Sequence, residues 1–483
     1  MYSLICILII SLFSLPVWAN EDIANAIQKI APVQSQLAIN IWDIESNRSI
    51  YSVNEHKLMQ PASIQKLLTA VAATKQLGTD FYYETQVYID GDVASQQLNG
   101  DVYIKFNGDP SLGREQLKQL ISALNAKGIQ QINGNVILVS SSSESLRAPG
   151  WVWVDLGICY AAPVSDFIID KNCVRASLSP LADNTTAIII DTQYPVEIST
   201  KAVFKPNIDV TQAKAHFCEL HMQRFDDNRY QISGCYPGNQ AISLAVAVND
   251  PSRYAKAVVK AILDDIKVNY ANFIISKQSI PPSAQLLAKH QSEKLPQLLK
   301  IMLEKSDNLI ADSLLKKIGQ GFYPHASNSD KLEGLDIHGF AMGAKALQSI
   351  LIQLNLPFDD ANIVDGSGLS RYNLLTSGQM LSVLQLIDSD KRFQYLTALL
   401  PVSGKSGTLK YQQYFNKPPL KAAISAKTGT MLGVENLAGF IEAKNGKRYA
   451  FVIIENGLTP DAKQTRLAPF SALLLQRLYD LQP

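Results

Sequence analysis

Ser63 stands three residues before Lys66 in the run Ser63-Ile64-Gln65-Lys66, a spacing that could pair a nucleophile with its base. A serine hydroxyl attacks a carbonyl only when a neighbouring base removes its proton. On a helix, residues three apart share a face, with Cβ atoms about 5–6 Å apart, so the amine can reach the hydroxyl. The amine must be unprotonated to act. Its pKa then has to fall from ~10.4 toward ~7–8, through burial or a second cation. Lys427, in Lys427-Thr428-Gly429, is a candidate for that cation, and Ser306-Asp307-Asn308 lies between the two motifs. Each motif alone is weak, since similar triplets occur at Ser52-Val53-Asn54 and Lys405-Ser406-Gly407. Their order and surroundings make the set strong.

The surroundings are elements able to hold these groups. Pro61 precedes the helix-forming stretch Ser63 to Ala73 and Gly78 follows it, the usual helix asymmetry. The helix start also puts the Ser63 backbone N–H where an oxyanion donor is useful. Ser306 and Asn308 interrupt a long amphipathic pattern that starts near Leu295, where Asp and Asn cost helix stability. A local break there would turn Ser306, as a proton relay, and Asn308, as a binder of a substrate amide, toward a cleft. Lys427 ends an apolar, strand-like run, in which Thr428 and Thr430 share a face and Gly429 permits close backbone approach. Such a strand can pair with an extended peptide while the two hydroxyls and the lysine bind its terminal carboxylate. Lys405-Ser406-Gly407 follows Pro401 and Gly404 and reads as a loop; Leu399 stands where a phosphate-binding loop needs its first glycine.

A chain of 483 residues is too long for one compact domain. Its 47% apolar content supports packed cores, and 44 basic against 43 acidic residues leave no electrostatic footprint for nucleic acid. The stretch Leu4 to Val17 is apolar and runs into Val17-Trp18-Ala19, so residues 1–19 read as a secretory signal peptide cut after Ala19, which implies a periplasmic protein. No Lys or Arg precedes the stretch, and with Pro16 inside it falls short of the ~20 residues a spanning helix needs. Beyond Cys6, four cysteines remain, and export favours disulfides. Sequential pairing, Cys159–Cys173 and Cys218–Cys235, closes short loops, each stabilising by roughly 3 kcal/mol in the loop-entropy model. A metal site from His216, Cys218, His221 and Cys235 fits no common zinc spacing, so neither metal nor cofactor is expected. The alternation of elements suggests one α/β domain split in sequence, residues 20–80 and 287–483, around an insertion at 81–286 whose inner part, about 175–247, is made of short β-like runs.

The three motifs together are the signature of class A β-lactamases and penicillin-binding proteins. With Asn107-Gly108-Asp109-Pro110-Ser111-Leu112, Ala148-Pro149-Gly150-Trp151, Asp365-Gly366-Ser367-Gly368-Leu369-Ser370-Arg371, Gly433-Val434 and Asn436-Leu437-Ala438-Gly439-Phe440, most of the mature chain resembles class C penicillin-binding proteins. These are D-Ala-D-Ala carboxypeptidase/endopeptidases of the penicillin-binding protein 4 type. The resemblance implies a serine β-lactamase/transpeptidase-like domain, an antiparallel sheet flanked by helices, interrupted by a large, mainly β insertion of two smaller domains. It implies Ser63 as the acyl-enzyme nucleophile, Lys66 as base, Ser306 as relay, Lys427 as carboxylate anchor, and the backbone N–H of Thr430 completing the oxyanion hole. Asp155 and Arg371 look like the pair that holds the diaminopimelate end of a stem peptide, with Tyr160 as an aromatic wall. Leu432 departs from relatives that carry a polar residue there. The implied partners are peptidoglycan peptides and β-lactams; membrane association after cleavage and oligomeric state are left open.

Two other readings compete. A class A β-lactamase needs a glutamate in an E-x-x-L-N loop after S-D-N, and the nearest run, Leu351-Ile352-Gln353-Leu354-Asn355, has leucine in its place. A non-catalytic penicillin-sensing or wall-binding module would have no need of Lys66.

Overall fold

A computed structural model describes residues 18–141, 146–183, 185–190, 194–206, 208–238, 240–324 and 339–481. The apolar stretch Leu4 to Val17, on which the expectation of an export signal rests, lies outside them. Helix α1 (Trp18–Ile30) leads into strands β1 (Gln36–Asp43) and β2 (Arg48–Val53), and helix α2 (Lys66–Leu77) follows. The chain then builds β3 (Glu84–Ala94), β4 (Gln97–Lys105), α3 (Arg114–Ile121), α4 (Ala123–Ala126) and β5 (Gln131–Val139). Short strands come next: β6 (Cys173–Pro180), β7 (Thr186–Ile190), β8 (Glu197–Thr200) and β9 (Val203–Lys205). After α5 (Val210–Ala215) come β10 (Leu220–Arg224), β11 (Arg229–Pro237) and β12 (Ile242–Ala247). The return passes through α6 (Pro251–Asp265), β13 (Asn269–Ser276) and β14 (Gln285–Gln291). The rest is α7 (Leu295–Lys305), α8 (Asn308–Phe322), α9 (Phe340–Gln353), α10 (Ser377–Ser389), β15 (Ile424–Met431), β16 (Val434–Glu442), β17 (Arg448–Asn456), α11 (Pro460–Thr465) and α12 (Phe470–Tyr479).

The first and last strands form one antiparallel sheet in the order β15-β16-β17-β1-β2. Successive strand side chains point to opposite faces. Ala38 therefore joins Ala450, Val452 and Ile454 in a core shared with α2, α8 and α10, while Ile39 and Ile41 join Phe451 and Ile453 under α1 and α12. Both faces are covered, so β1 is buried continuously from Ala38 to Ile41 instead of alternating. Each such aliphatic side chain contributes roughly 1.5–3 kcal/mol by burial.

Between these halves, β13-β5-β4-β3-β14 form a mixed sheet. Strands β4 and β5 run parallel because α3 crosses between them. The apolar faces of α3 and α6, with Leu117, Leu120, Val258 and Ile262, close over Val102, Ile104 and Val136. Smaller sheets, β12-β6-β7 and β10-β11-β8, share a separate core around Leu178, Tyr230 and Ile232. The outgoing and returning chains lie side by side: Ser292 N–H donates to the Tyr83 carbonyl at 2.9 Å and Tyr83 N–H to Ser292 Oγ at 2.9 Å.

The last helical stretch of the chain is not continuous: α11 ends at Thr465 and α12 starts at Phe470. The residue before Pro469 is biased away from the helical region. The intervening Arg466 is extended (ψ 142°) and its Nη1 donates to Glu455 Oε2 at 3.0 Å.

Candidate active site

Residues Ala62–Gln65 form a 3-10 turn that runs directly into α2. In that tighter helix, residues three apart eclipse one another, which brings Lys66 over Ser63. Lys66 Nζ is 2.9 Å from Ser63 Oγ, and it also reaches Asn308 Oδ1 at 2.6 Å and the Ser367 carbonyl at 2.7 Å. A neutral amine has two protons and one lone pair. With its protons donated to Asn308 and Ser367, the lone pair is left facing the serine hydroxyl.

The turn is held tightly from outside. Ala62 adopts a left-handed φ of 47°, which costs a non-glycine residue about 1–2 kcal/mol. Gly368 packs on its carbonyl so closely that a Cβ there would overlap the oxygen. Gly429 presses on the other side, where a Cβ would lie 2.7 Å from the Pro61 carbonyl. Asn436 Nδ2 donates to the carbonyls of Gln60 and Pro61 at 2.9 and 2.8 Å, fastening the turn to the sheet.

The amphipathic pattern from Leu295 breaks at the second motif. Helix α7 stops at Lys305, Ser306 turns left-handed (φ 57°), and Asp307 caps α8 by accepting from Ile310 N–H at 3.0 Å. The corner presents Ser306 and Asn308 to the cleft. Asn308 faces protein groups at both ends of its amide: Oδ1 accepts from Lys66, and Nδ2 donates to the Tyr160 carbonyl at 2.8 Å. On β15, Lys427 is fully buried and its Nζ donates to Ser306 Oγ at 2.9 Å and to the Thr428 carbonyl at 3.0 Å. The outer edge of β15 is occupied up to Ala426, whose N–H donates to the Pro401 carbonyl at 2.9 Å. The loop that does this contains Lys405-Ser406-Gly407, and its Thr408 hydroxyl meets that of Thr428 at 2.8 Å. Past that point the edge belongs to Thr430, which lines the cleft.

Electrostatics follow from burial. Loss of water pushes the Lys66 pKa down to about 8, against the opposing pull of Asp312, Asp365 and Asp307. Burial and then the charge of Lys66 hold Lys427 well below the usual lysine range. Desolvation, more than a neighbouring cation, is thus the main reason that Lys66 can be a base near neutral pH.

The cleft is a cavity of about 450 Å3 lined by Ser63, Ser306, Asn308 and Thr430 together with Asp155, Tyr160, Arg371 and Leu432. Asp155 and Tyr160 arrive on short 3-10 turns, Trp153–Gly157 and Cys159–Ala161, tied to β6 by the Cys159–Cys173 disulfide (Cα–Cα 5.2 Å). Burial, with a hydrogen bond to the Asp155 carboxylate, raises the Tyr160 phenol. Arg371 Nη1 donates to the Leu432 carbonyl at 2.7 Å. Lys171 of the inserted segment pairs with Asp307 at 2.5 Å. The second disulfide joins Cys218 and Cys235 (Cα–Cα 4.8 Å), so a metal site at His216 and His221 has lost its thiolates. Among the described residues no helix is long and apolar enough to cross a membrane.

Several contributors lie outside the three motifs. Asp365 accepts from Gly368 N–H (2.7 Å), Ser370 N–H (2.6 Å), Asn373 Nδ2 (2.9 Å) and Trp151 Nε1 (2.9 Å), and so holds the turn that carries Ser367 and Arg371. Ser370 Oγ donates to the Pro149 carbonyl at 2.6 Å, which interlocks the Ala148–Trp151 and Asp365–Arg371 runs. Asp312 binds Gly366 and Ser367 from α8. An acid inside the apolar stripe of Ile310, Ala311, Leu314 and Leu315 was the available clue to it.

Residues 19–477 match the model of the D-Ala-D-Ala carboxypeptidase 3 (S13) family. The chain is 34% identical over 474 residues to the D-alanyl-D-alanine carboxypeptidase DacB of Haemophilus influenzae, covering 97% of this chain and 96% of that one. It is 27% identical over 478 residues to a D-alanyl-D-alanine carboxypeptidase of an Actinomadura species, covering 94% and 85%. The crystal structure of penicillin-binding protein 4 from H. influenzae superposes with a TM-score of 0.85 at 32% identity, over 95% of this chain and 98% of that one. The same protein complexed with a β-lactam gives 0.81 at 31% identity, with the same coverage.

Proposed function

The chain belongs to the D-Ala-D-Ala carboxypeptidase S13 family, and from that premise we propose which residues perform the reaction and how far its substrates extend. The protein is a serine-type D-alanyl-D-alanine carboxypeptidase of the penicillin-binding kind. In our reading, Ser63 Oγ attacks the carbonyl between the two D-Ala residues while its proton passes to neutral Lys66. The backbone N–H groups of Ser63 and Thr430 meet the developing oxyanion. Ser306 relays a proton to the departing amine as the C–N bond breaks, and water then hydrolyses the Ser63 ester. Lys427, Thr428 and Thr430 hold the terminal carboxylate, with Asn308 keeping Lys66 oriented. The observation that carries this is Lys66 Nζ at 2.9 Å from Ser63 Oγ, with acceptors for its two remaining protons.

The activity extends to cross-links, as a D,D-endopeptidase. The open cavity beyond Ser63 supports this: Asp155, Tyr160 and Arg371 line it and would hold the charged end of a diaminopimelate residue. Residues 20–80 and 292–483 are the catalytic domain, and 81–291 the insertion that completes its cleft; the expected boundary at 286 moves to 291 because all of β14 pairs with β3. The two disulfides favour an oxidising compartment, here the periplasm. Intact-mass spectrometry with penicillin should find one adduct, on Ser63; an adduct that survives Ser63→Ala refutes the nucleophile. Purified cross-linked muropeptides should be split into monomers. Release of terminal D-Ala alone would remove the endopeptidase.

A further inference from the structure

Behind the base lies a carboxylate that this mechanism leaves without a part. Asp312 sits on α8 at 1% exposure, and its Oδ1 accepts from Gly366 N–H at 2.8 Å and Ser367 N–H at 2.9 Å. From the other side, Thr69 Oγ1 on α2 donates to the Gly366 carbonyl at 2.6 Å. Between these two grips the peptide turns, and the Ser367 carbonyl accepts a hydrogen bond from Lys66 Nζ at 2.7 Å. The Asp312 carboxyl is also not spent on the nearest lysine of its own helix. Lys316, one turn further along α8, is committed to Asp166 at 2.8 Å. Asp365, the other buried acid near Lys66, already serves four donors.

We propose that Asp312 is the positioning residue of the base: it fixes the turn whose carbonyl orients Lys66, and its carboxylate is the countercharge that lets a buried amine accept the Ser63 proton. The proposal rests on Lys66 being that base. When the proton arrives, a positive charge forms away from water, which is costly unless an opposite charge is in place. The groups facing Lys66 are Asp312 of α8, Asp307 at its cap, Asp365 of the turn and Lys427 of β15; Asp312 exerts the largest attraction among the acids, while burial and then Asp365 hold its own carboxyl well above the ordinary range and Lys66 draws it down.

The pH dependence of penicillin acylation, followed on the full-length folded enzyme, tests this without involving the peptide pocket. In the wild type the rate rises with pH as Lys66 loses its proton. Asp312→Asn keeps an oxygen for the two N–H donors and removes the charge. Lys66 then deprotonates more readily, so the midpoint should move down by about one pH unit, with a plateau severalfold lower because the base is weaker. Asp312→Glu keeps the charge but displaces the turn, so it should hold the wild-type midpoint while the plateau drops about tenfold. The inference is overturned if the Asn midpoint stays or moves up, or if the Glu midpoint moves with it. A wild type that acylates Ser63 with no rising limb overturns the assignment of Lys66 itself, which is a separate failure.

Discussion

Replacing Asn308 by Asp would change one atom and should convert Lys66 from a base into a locked ammonium. Asn308 Oδ1 lies 2.6 Å from Lys66 Nζ, inside a site where the lysine is fully buried. With a pKa of about 8, roughly a tenth of Lys66 is neutral at pH 7. An opposite charge within ~4–6 Å shifts such a group by roughly 1–3 units toward its charged form, here upward. The neutral fraction at pH 7 then falls to between about one in a hundred and one in ten thousand, and acylation by roughly ten- to a thousandfold. Raising the pH restores the neutral amine, so most of that loss should disappear by about pH 10. A second cost does not depend on pH. The variant also loses the Nδ2 donor to the Tyr160 carbonyl, a bond of 2.8 Å, and sets two acceptors against each other. Leaving such a group unpaired costs about 1–3 kcal/mol. Asn308→Ala isolates a pH-independent defect, because it removes both bonds and adds no charge. The assay is the second-order rate constant of penicillin acylation from pH 6 to 10 on all three proteins. Unchanged acylation of the Asp variant at pH 7, or a deficit that stays constant to pH 10, refutes the reasoning.

The remaining predictions bear on the parts that surround the base. Asp155→Ala and Arg371→Ala should each lower kcat/KM on diaminopimelate peptides by roughly ten- to a hundredfold, the loss of a charge-assisted contact of about 1.5–3 kcal/mol, and leave a blocked-lysine D-Ala-D-Ala substrate unaffected; equal losses on both substrates would indicate a folding defect. Gly368→Ala puts a side chain at φ 79° against the Ala62 carbonyl, so it should abolish acylation more than it lowers the melting temperature, and wild-type acylation kinetics would show that the turn tolerates the contact. Cys159→Ser with Cys173→Ser should slow acylation because the bridge holds the segment whose Tyr160 carbonyl orients Asn308, whereas Cys218→Ser with Cys235→Ser should lower only the melting temperature; equal acylation rates in the two double variants would detach the first disulfide from the site.

What the sequence made legible is what its neighbours in the chain decide. Ser63 and Lys66 meet because they lie within one turn, and the corner at Ser306 forms because Asp307 is a strong helix cap. Thr430 reaches the cleft by strand alternation, and both disulfides join cysteines only 14 and 17 residues apart. What could not be read is set by contacts made across the fold. Burial and a second cation, Lys427, were both open as the cause of a weakened Lys66; burial dominates, and burial depends on α8 and the Asp365–Arg371 turn closing over α2. Gln65 and Asn373 are 308 positions apart and 3.1 Å apart in space. Nothing near either one predicts that hydrogen bond. Asp155 and Tyr160 could be assigned only through family likeness, because a loop residue beside a cysteine has no spacing that points to a cleft built by another domain. The three motifs supply the reacting groups, therefore, but the strength of the base is set by its burial and by the opposing acids around it, of which Asp312 and Asp365 lie outside the motifs. Asp312 stands one helix turn beyond Asn308 on the same α8, and it ties the second motif to the turn on which Lys66 rests.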